Sequence, residues 1–435
     1  LTPQSPFFVL APVRVQREEE VLALLDSMNA MPGHADPANA LIPFGEFDRL
    51  HFARLCLVKD KTVGDVTAYG LKPRTYPIYL AFLGDVDDRA DTFLEELATS
   101  TSASAGLRKI FACCEGFEPE TNLLDWMRRH GVRASAAYVN WKGRTMLQIR
   151  EEAAMRVSVE RYLDANAQTV ASAEPLAIHV MLRHFLSSEI AAARLTMTPA
   201  APTRLGWWVR DFLGTVLPPL VVIALSPILL VVGLVLLLLV RVSENSDPEI
   251  CPRVDPQYVE AIATSEDRDV TNAFSAIGSL KPGVVRLAVS VFGLGLLNYA
   301  AQHVYTIGHL ARVRTIHFAR WVWCDGKSRL MFMSNYDGSL ESYMDDFINK
   351  AGFGLNFVFS NGIGYPKTRW LVAGGAKDEQ QFKNFLRRHE FQTQVWYDAH
   401  PGLTAVDLER NMRTRNGLEA RSLTARQARE WAALL

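Results

Sequence analysis

The chain has 435 residues, with 46 Lys and Arg against 47 Asp and Glu, a formal net charge of −1, and five cysteines. That length suits two or three domains, and the balanced charge excludes a basic nucleic-acid footprint. The cysteines (56, 113, 114, 251 and 324) are odd in number and scattered, with no CxxC. This excludes a disulfide scaffold and a zinc site of the usual spacing, and points to a reducing compartment.

The opening LTPQSPFFVLAPV has neither a basic n-region nor a full apolar h-region, so no signal peptide is expected in it. LHFARLCLV, from residue 50, and YPIYLAFLG, from 76, have β-strand composition. PLAIHVMLRHFLSSEIAAARL, from 175, is amphipathic and expected at a surface. From Phe212 to Val240 there is no charged residue, which exceeds the roughly 20 apolar residues that cross a bilayer core. Pro218, Pro219 and Pro227 suit either a kinked crossing or the turn of a re-entrant hairpin. SEDRDVTNAFSAIGSLKPG then carries Glu266, Asp267, Asn272 and Lys281. These are candidates for binding a lipid headgroup or a metal, or else a polar connector with Lys-Pro-Gly marking a helix start. GVVRLAVSVFGLGLLNYAAQHVY, from 283, contains Arg286, Asn298, Gln302 and His303, and reads as a second span or an interfacial helix.

At 315 the chain reads TIHFARWVW, repeating the His-Phe-Ala-Arg of 51–54. Further matches share the spacing: Phe82 with Phe332, Asp87 with Asp337, Phe93 with Tyr343, and Glu95-Glu96 with Asp345-Asp346. Arg-Arg-His recurs at 128–130 and 387–389, followed by Tyr138 with Tyr397, Gly143 with Gly402 and Thr145 with Thr404. Segments 51–150 and 317–409 are therefore two diverged copies of one unit. In the second copy SLESYMDDFINKAG predicts a helix with a Ser N-cap and a Gly stop. TRWLVAGGA predicts an extra strand, DEQQFKNFLRRHE an amphipathic helix and TQVWYDA a closing strand.

The expected fold class is α+β, with two ferredoxin-like repeats packed sheet to sheet and a helical membrane insertion between them. The expected divisions are repeat 1 over 1–165 and an amphipathic linker over 166–211. The membrane-inserted region follows over 212–310 (main segment 212–240, second segment 283–305), then repeat 2 over 311–415 and a tail over 416–435. Repeats that share a core lie on one side of the membrane, which requires an even number of crossings or a monotopic insertion. Arg194, Arg204, Arg210, Arg312, Arg314 and Arg320 flank the insertion on the repeat side, while SENSDPE and TSEDRD enrich the intervening loop in acid. That asymmetry places the repeats on the cytoplasmic face of a bacterial inner membrane.

The element order and the duplication resemble the dimeric α+β barrel superfamily, which includes chlorite dismutases and dye-decolorizing peroxidases. The chain also resembles bacterial membrane proteins with no assigned activity. The first resemblance implies a haem between the repeats. A single site in a duplicated fold has to be specified in one half, so asymmetric positions are its candidates. His400 stands where the first copy has Trp141, and Asn335-Tyr336-Asp337-Gly338 replaces the Gly84–Asp87 run. On that reading His400 is the iron ligand, His317 lies beside the cofactor, and Asp337 and Arg320 are catalytic. NYDG is similar to the GxxDG of dye-decolorizing peroxidases, with Ser334 in place of the leading Gly.

Each residue also has a plainer reading. His51 and His317, present in both copies, hydrogen-bond within the core. Arg54 and Arg320 pair with acidic helix residues, Asp337 opens a turn before an N-capped helix, and His400 belongs to a Pro-Gly turn. No P-loop, strand-borne GxGxxG, GxSxG or HExxH occurs. Two functions are expected. One is a membrane-anchored peroxidase-like or oxygenase-like oxidoreductase acting on a lipophilic substrate. The other is a non-catalytic membrane protein that recruits a protein partner, or a second copy, through its repeats. Both imply a lipid bilayer as partner and no nucleic acid.

Overall fold

The computed structural model describes residues 2–305, 310 and 312–435. The first half runs β1 (Gln4–Pro12), α1 (Glu18–Asp26), β2 (Leu50–Val58), β3 (Tyr79–Asp87), α2 (Ala90–Thr99), α3 (Ala103–Phe111), α4 (Leu123–Arg129) and β4 (Ala136–Val139). Four long helices follow: α5 (Met146–Ala165), α6 (Pro175–Ala191), α7 (Leu205–Ala224) and α8 (Ser226–Ser246). The second half runs β5 (Thr271–Ser279), α9 (Val284–His303), β6 (Ile316–Cys324), β7 (Arg329–Asp337), α10 (Leu340–Phe359), α11 (Glu379–His389) and β8 (Val395–Asp398). Helices α12 (Ala405–Glu419) and α13 (Ala425–Ala432) complete it.

The fold is α+β, with two main sheets. One has the order β1-β3-β2-β8, extended by the short strands Gly33–Ala35 and Asn29–Met31; the other has the order β4-β6-β7-β5. Each half thus gives its last strand to the other half's sheet. Val132 N donates to Phe8 O (2.9 Å) beside β1 before the chain crosses to pair β4 with β6. Likewise Phe391 N donates to Ser275 O (2.9 Å) on β5 before β8 pairs with β2. Backbone bonds therefore close both seams between the sheets.

Burial explains the strand sequences. The space between the sheets holds Phe8, Cys56, Leu83, Ile277, Met331 and Met333. The outer faces bury Phe82, Phe111 and Trp126 under α2, α3 and α4, and Phe332, Phe347 and Phe385 under α10 and α11. A strand buried on both faces needs no polar alternation, and all nine residues of β2 are buried. Helices α5, α6 and α13 form a satellite bundle with the end of α12, around Met155, Leu182, Leu418 and Trp431.

Three elements depart from the sequence reading. Segment 265–283, assigned to the membrane insertion, contains β5. This strand pairs with β7 over nine positions, as β1 pairs with β3, so the second half begins well before 311. The helix from Leu340 passes through Gly352 and Gly354 to Phe359, because its buried face of Tyr343, Phe347, Ala351, Leu355 and Val358 continues unbroken. Packing outweighs the roughly 1 kcal/mol that each glycine costs a helix. TRWLVAGGA forms only the two-residue pairing of Thr368–Arg369 with Ala373–Gly374.

Helices α7, α8 and α9 are each long and apolar enough to cross a membrane. Helix α9 buries Val289, Gly293, Leu294 and Ala301 on the body, while Val284, Val291, Phe292 and Leu296 on its other side are exposed. Helix α7 buries no residue. Thr215 lies 2.9 Å from His303 Nδ1 and accepts from Tyr299 OH at 2.9 Å, and Val240 packs with Val289. A straight helix from Thr215 to Val240 would measure about 38 Å, yet Val289 and Tyr299 are only about 15 Å apart along α9. The chain therefore bends at Leu225, between α7 and α8, with both feet on α9.

Candidate functional site

The repeated tetrapeptide builds matching constellations in the two halves. A register shift interrupts β2 between Leu50 and Phe52, and β6 between Ile316 and Ala319. Such bulges re-aim side chains, and here they carry His51 and His317 to aspartates at the ends of the neighbouring strands. His51 Nε2 lies 2.9 Å from Asp87 Oδ1, and His317 Nε2 lies 2.6 Å from Asp337 Oδ1. The second carboxylate oxygen of each aspartate accepts from a helix N-terminus: Asp87 from Met146 N (2.9 Å) and Asp337 from Ala405 N (2.6 Å). Both helices open with a capping box, Thr145 with Gln148 and Thr404 with Asp407. A carboxylate facing the first amides of a helix is favoured by the helix dipole. Gly143 and Gly402 supply the left-handed turn (φ +93° and +82°) before each cap. Asp337 and His317 thus tie a strand pair to a helix, as Asp87 and His51 do.

The arginines of the repeat cross the interior. Arg320 donates to Phe7 O (3.1 Å), Gly84 O (3.3 Å) and the Asp85 carboxylate on the opposite sheet. Arg54 reaches the other way, to Phe274 O (2.9 Å), Ser334 O (2.9 Å), Ser275 Oγ (3.0 Å) and Asn335 Oδ1. Their partners lie on strands of the facing sheet, not on acidic helices as the sequence reading had it. Asp85 and Asn335 occupy matching positions, so two buried guanidinium groups share one carboxylate. Burial pushes Arg54 down to about 10 and lowers Arg320, while it raises Asp85 against the pull of Arg320. Sequence reasoning passed over Asp85, although its offset from Asn335 in the aligned copies was the available signal.

His400 is 4% exposed. Its ring stacks on His317 (centroids 5.6 Å apart, 21° between planes) and meets Phe52 edge-on at 4.9 Å. Trp141, its counterpart, touches the same His317 ring at 5.2 Å. Both residues pack against the His317 ring where the halves meet. His400 Nδ1 is 3.2 Å from Asp398 Oδ1 without hydrogen-bond alignment, and neither ring nitrogen has a hydrogen-bond partner. Burial lowers His400 well below the usual histidine value and raises Asp398 well above the usual carboxylate value, favouring the neutral form of each. The residues present do not fit a haem. Phe52, Phe318 and Trp396 and the other side chains between the sheets fill the space that the macrocycle would have to occupy.

The remaining candidates are dispersed. Glu266 pairs with Arg387 (2.8 Å), and Asp267 accepts from Leu340 N at the start of α10 (2.9 Å). Asn272, on β5, donates to Asp269 O and Gly338 O (2.9 and 3.0 Å). Lys281 donates to Asp247 and Ser360 O (both 2.9 Å), and Arg286 joins it on Asp247 at 2.6 Å. Lys281 and Arg286 thereby pin the foot of α8 to the start of α9. Among the described residues, no group of three or more His, Cys, Asp or Glu is placed to hold a metal ion.

No family model, curated protein or solved structure matches the chain. Its function has to be argued from its own geometry.

Proposed function

We propose that the chain is a monotopic membrane protein whose two-sheet body is a binding module held at the bilayer surface. The observation that carries this reading is the apolar pair α7 and α8, which bends at Leu225 and touches α9 from both arms. Measured to Leu225 from Thr215 and Val240, its arms are about 15 and 22 Å long, against a hydrocarbon core of about 30 Å. Both feet stand on the body, so the hairpin enters the bilayer and leaves on the side it came from. The exposed Val284, Val291, Phe292 and Leu296 of α9 continue the apolar surface at its base. Trp208 and Trp370 are exposed near the two feet, and Arg241 lies over Trp370 (5.7 Å). Aromatic and basic residues of this kind occupy the headgroup layer.

On this reading the halves are two ferredoxin-like repeats, similar in arrangement to the dimeric α+β barrel superfamily. The body faces the cytoplasm of a bacterium, in keeping with its five free cysteines. Binding is preferred to oxidoreductase chemistry because His317, Asp337 and Arg320 are each engaged in contacts that hold the body together. The test is extraction of membranes at alkaline pH. The intact chain should remain in the pellet, and a chain with 212–240 replaced by a Gly-Ser linker should be released as folded protein. Release of the intact chain would overturn the reading.

A further inference from the structure

A cleft of about 500 Å³ opens beside the N-terminal end of α9. Its wall is apolar, formed by Val66, Leu71, Leu280, Val284, Leu287 and Ile363. Five charged side chains line it. Lys281 is neutralised by Asp247, and Asp60 lies 3.6 Å from Arg329. Lys72, Arg74 and Lys327 form no ion pair among the described residues, and all three are exposed. Lys72 and Arg74 come from the loop that leads into β3, and Lys327 from the tight turn between β6 and β7, so chain segments distant in sequence converge cations on one opening. Val284 belongs both to the cleft and to the exposed apolar side of α9, and is 83% exposed.

We infer that this cleft binds the phosphate-bearing headgroup of an anionic lipid. The proposal rests on the membrane reading above, which sets the cleft at the headgroup layer. Three unpaired cations suit a phosphate, and the apolar wall suits the glycerol and upper acyl carbons attached to it. A small soluble phosphate would use the cations and leave that wall in contact with water. Tyr76 OH, 3.2 Å from Ser328 Oγ, holds the two cation-bearing loops against each other.

The test uses the full chain in detergent micelles, so that binding does not depend on insertion. Phosphatidylglycerol, phosphatidylcholine and soluble sn-glycerol 3-phosphate are titrated against the native chain and the triple variant Lys72→Ala/Arg74→Ala/Lys327→Ala. Each cation near a charged lipid surface contributes about fivefold, so the triple variant should bind phosphatidylglycerol on the order of 100-fold more weakly. Phosphatidylcholine binding should be weak and the same for both chains, and an unchanged melting temperature shows that the variant is folded. Equal phosphatidylglycerol binding by native and variant chains would overturn the site. Glycerol phosphate binding as tightly as the lipid would overturn the lipid as its occupant. Insertion into pure phosphatidylcholine vesicles is measured separately, and both chains should insert. Failure there, with phosphatidylglycerol still bound in micelles, would overturn the anchor and leave the anionic site standing.

Discussion

Arg54 and Arg320 are both buried between the sheets, and the single carboxylate between them belongs to Asp85. Asp85→Asn makes the first half match the second and leaves both guanidinium groups without a counter-charge. Breaking a buried ion pair from one side costs about 3–5 kcal/mol, because the stranded charge stays out of water. Unfolding entropy of roughly 2 cal/mol/K per residue, taken over a chain of this length as one cooperative unit, turns that cost into a fall of about 3–6 °C in Tm. Asn335→Asp does the opposite: it offers Arg54 a carboxylate and removes an amide nitrogen that has no hydrogen-bond partner. Alone it should hold or raise Tm. In the double variant the carboxylate has moved to the other sheet, and most of the loss should be regained. The assay is thermal unfolding of the three variants in one detergent, read as a double-mutant cycle. Additive effects in the double variant, or a harmless Asp85→Asn, would refute the view that these arginines are matched across the interior.

His400→Trp should cost about 1–3 kcal/mol by overpacking the buried site between Phe52 and His317, read as a lower Tm in a melting experiment. Burial holds His400 and His389 below the unfolded histidine value. Their folded forms are therefore favoured above about pH 6.5, and stability is lost as pH falls through their lowered values, by up to about 1.4 kcal/mol per pH unit for each. Tm measured from pH 7.5 downwards should fall on acidification, and His400→Phe should flatten that slope. Asp337→Ala removes the acceptor of both His317 and Ala405 N, at a cost of about 3 kcal/mol. Hydrogen exchange over 404–410 should accelerate in that variant while the matching helix start at 145–150 stays protected.

The second copies of Asp87, Gly143 and Thr145 were legible in the sequence because each serves a local geometric need: a carboxylate on a helix start, a left-handed turn, a cap. Spacing preserves such needs even when the surrounding side chains drift. The first strand of each half was not legible. QSPFFVLAP and TNAFSAIGS share only their fourth residue, Phe7 and Phe274, too little to reveal a repeat, and the second lies between the two apolar stretches of the chain. The exchange of β4 and β8 between sheets is set by which edge each chain reaches, and no local signal carries that. Asymmetry at His400 suggested chemistry, whereas the structure shows its ring packed against His317 and Phe52. Pro218, Pro219 and Pro227 left open a kinked crossing or a re-entrant hairpin; the bend at Leu225 and the contacts of Thr215 and Val240 with α9 are what the hairpin proposal is built on.

The monotopic hairpin can be tested by the access of its tip from the two sides of the membrane. In a chain with the exposed Cys251 changed to Ser, single cysteines replace Leu225, at the turn, and Asp346, on the body. A membrane-impermeant maleimide is applied to sealed vesicles of each orientation. Leu225→Cys should resist labelling from both sides until detergent is added, and Asp346→Cys should react from the cytoplasmic side only. Labelling of Leu225→Cys from the side opposite Asp346→Cys would mean that the hairpin spans the bilayer, and would contradict the account.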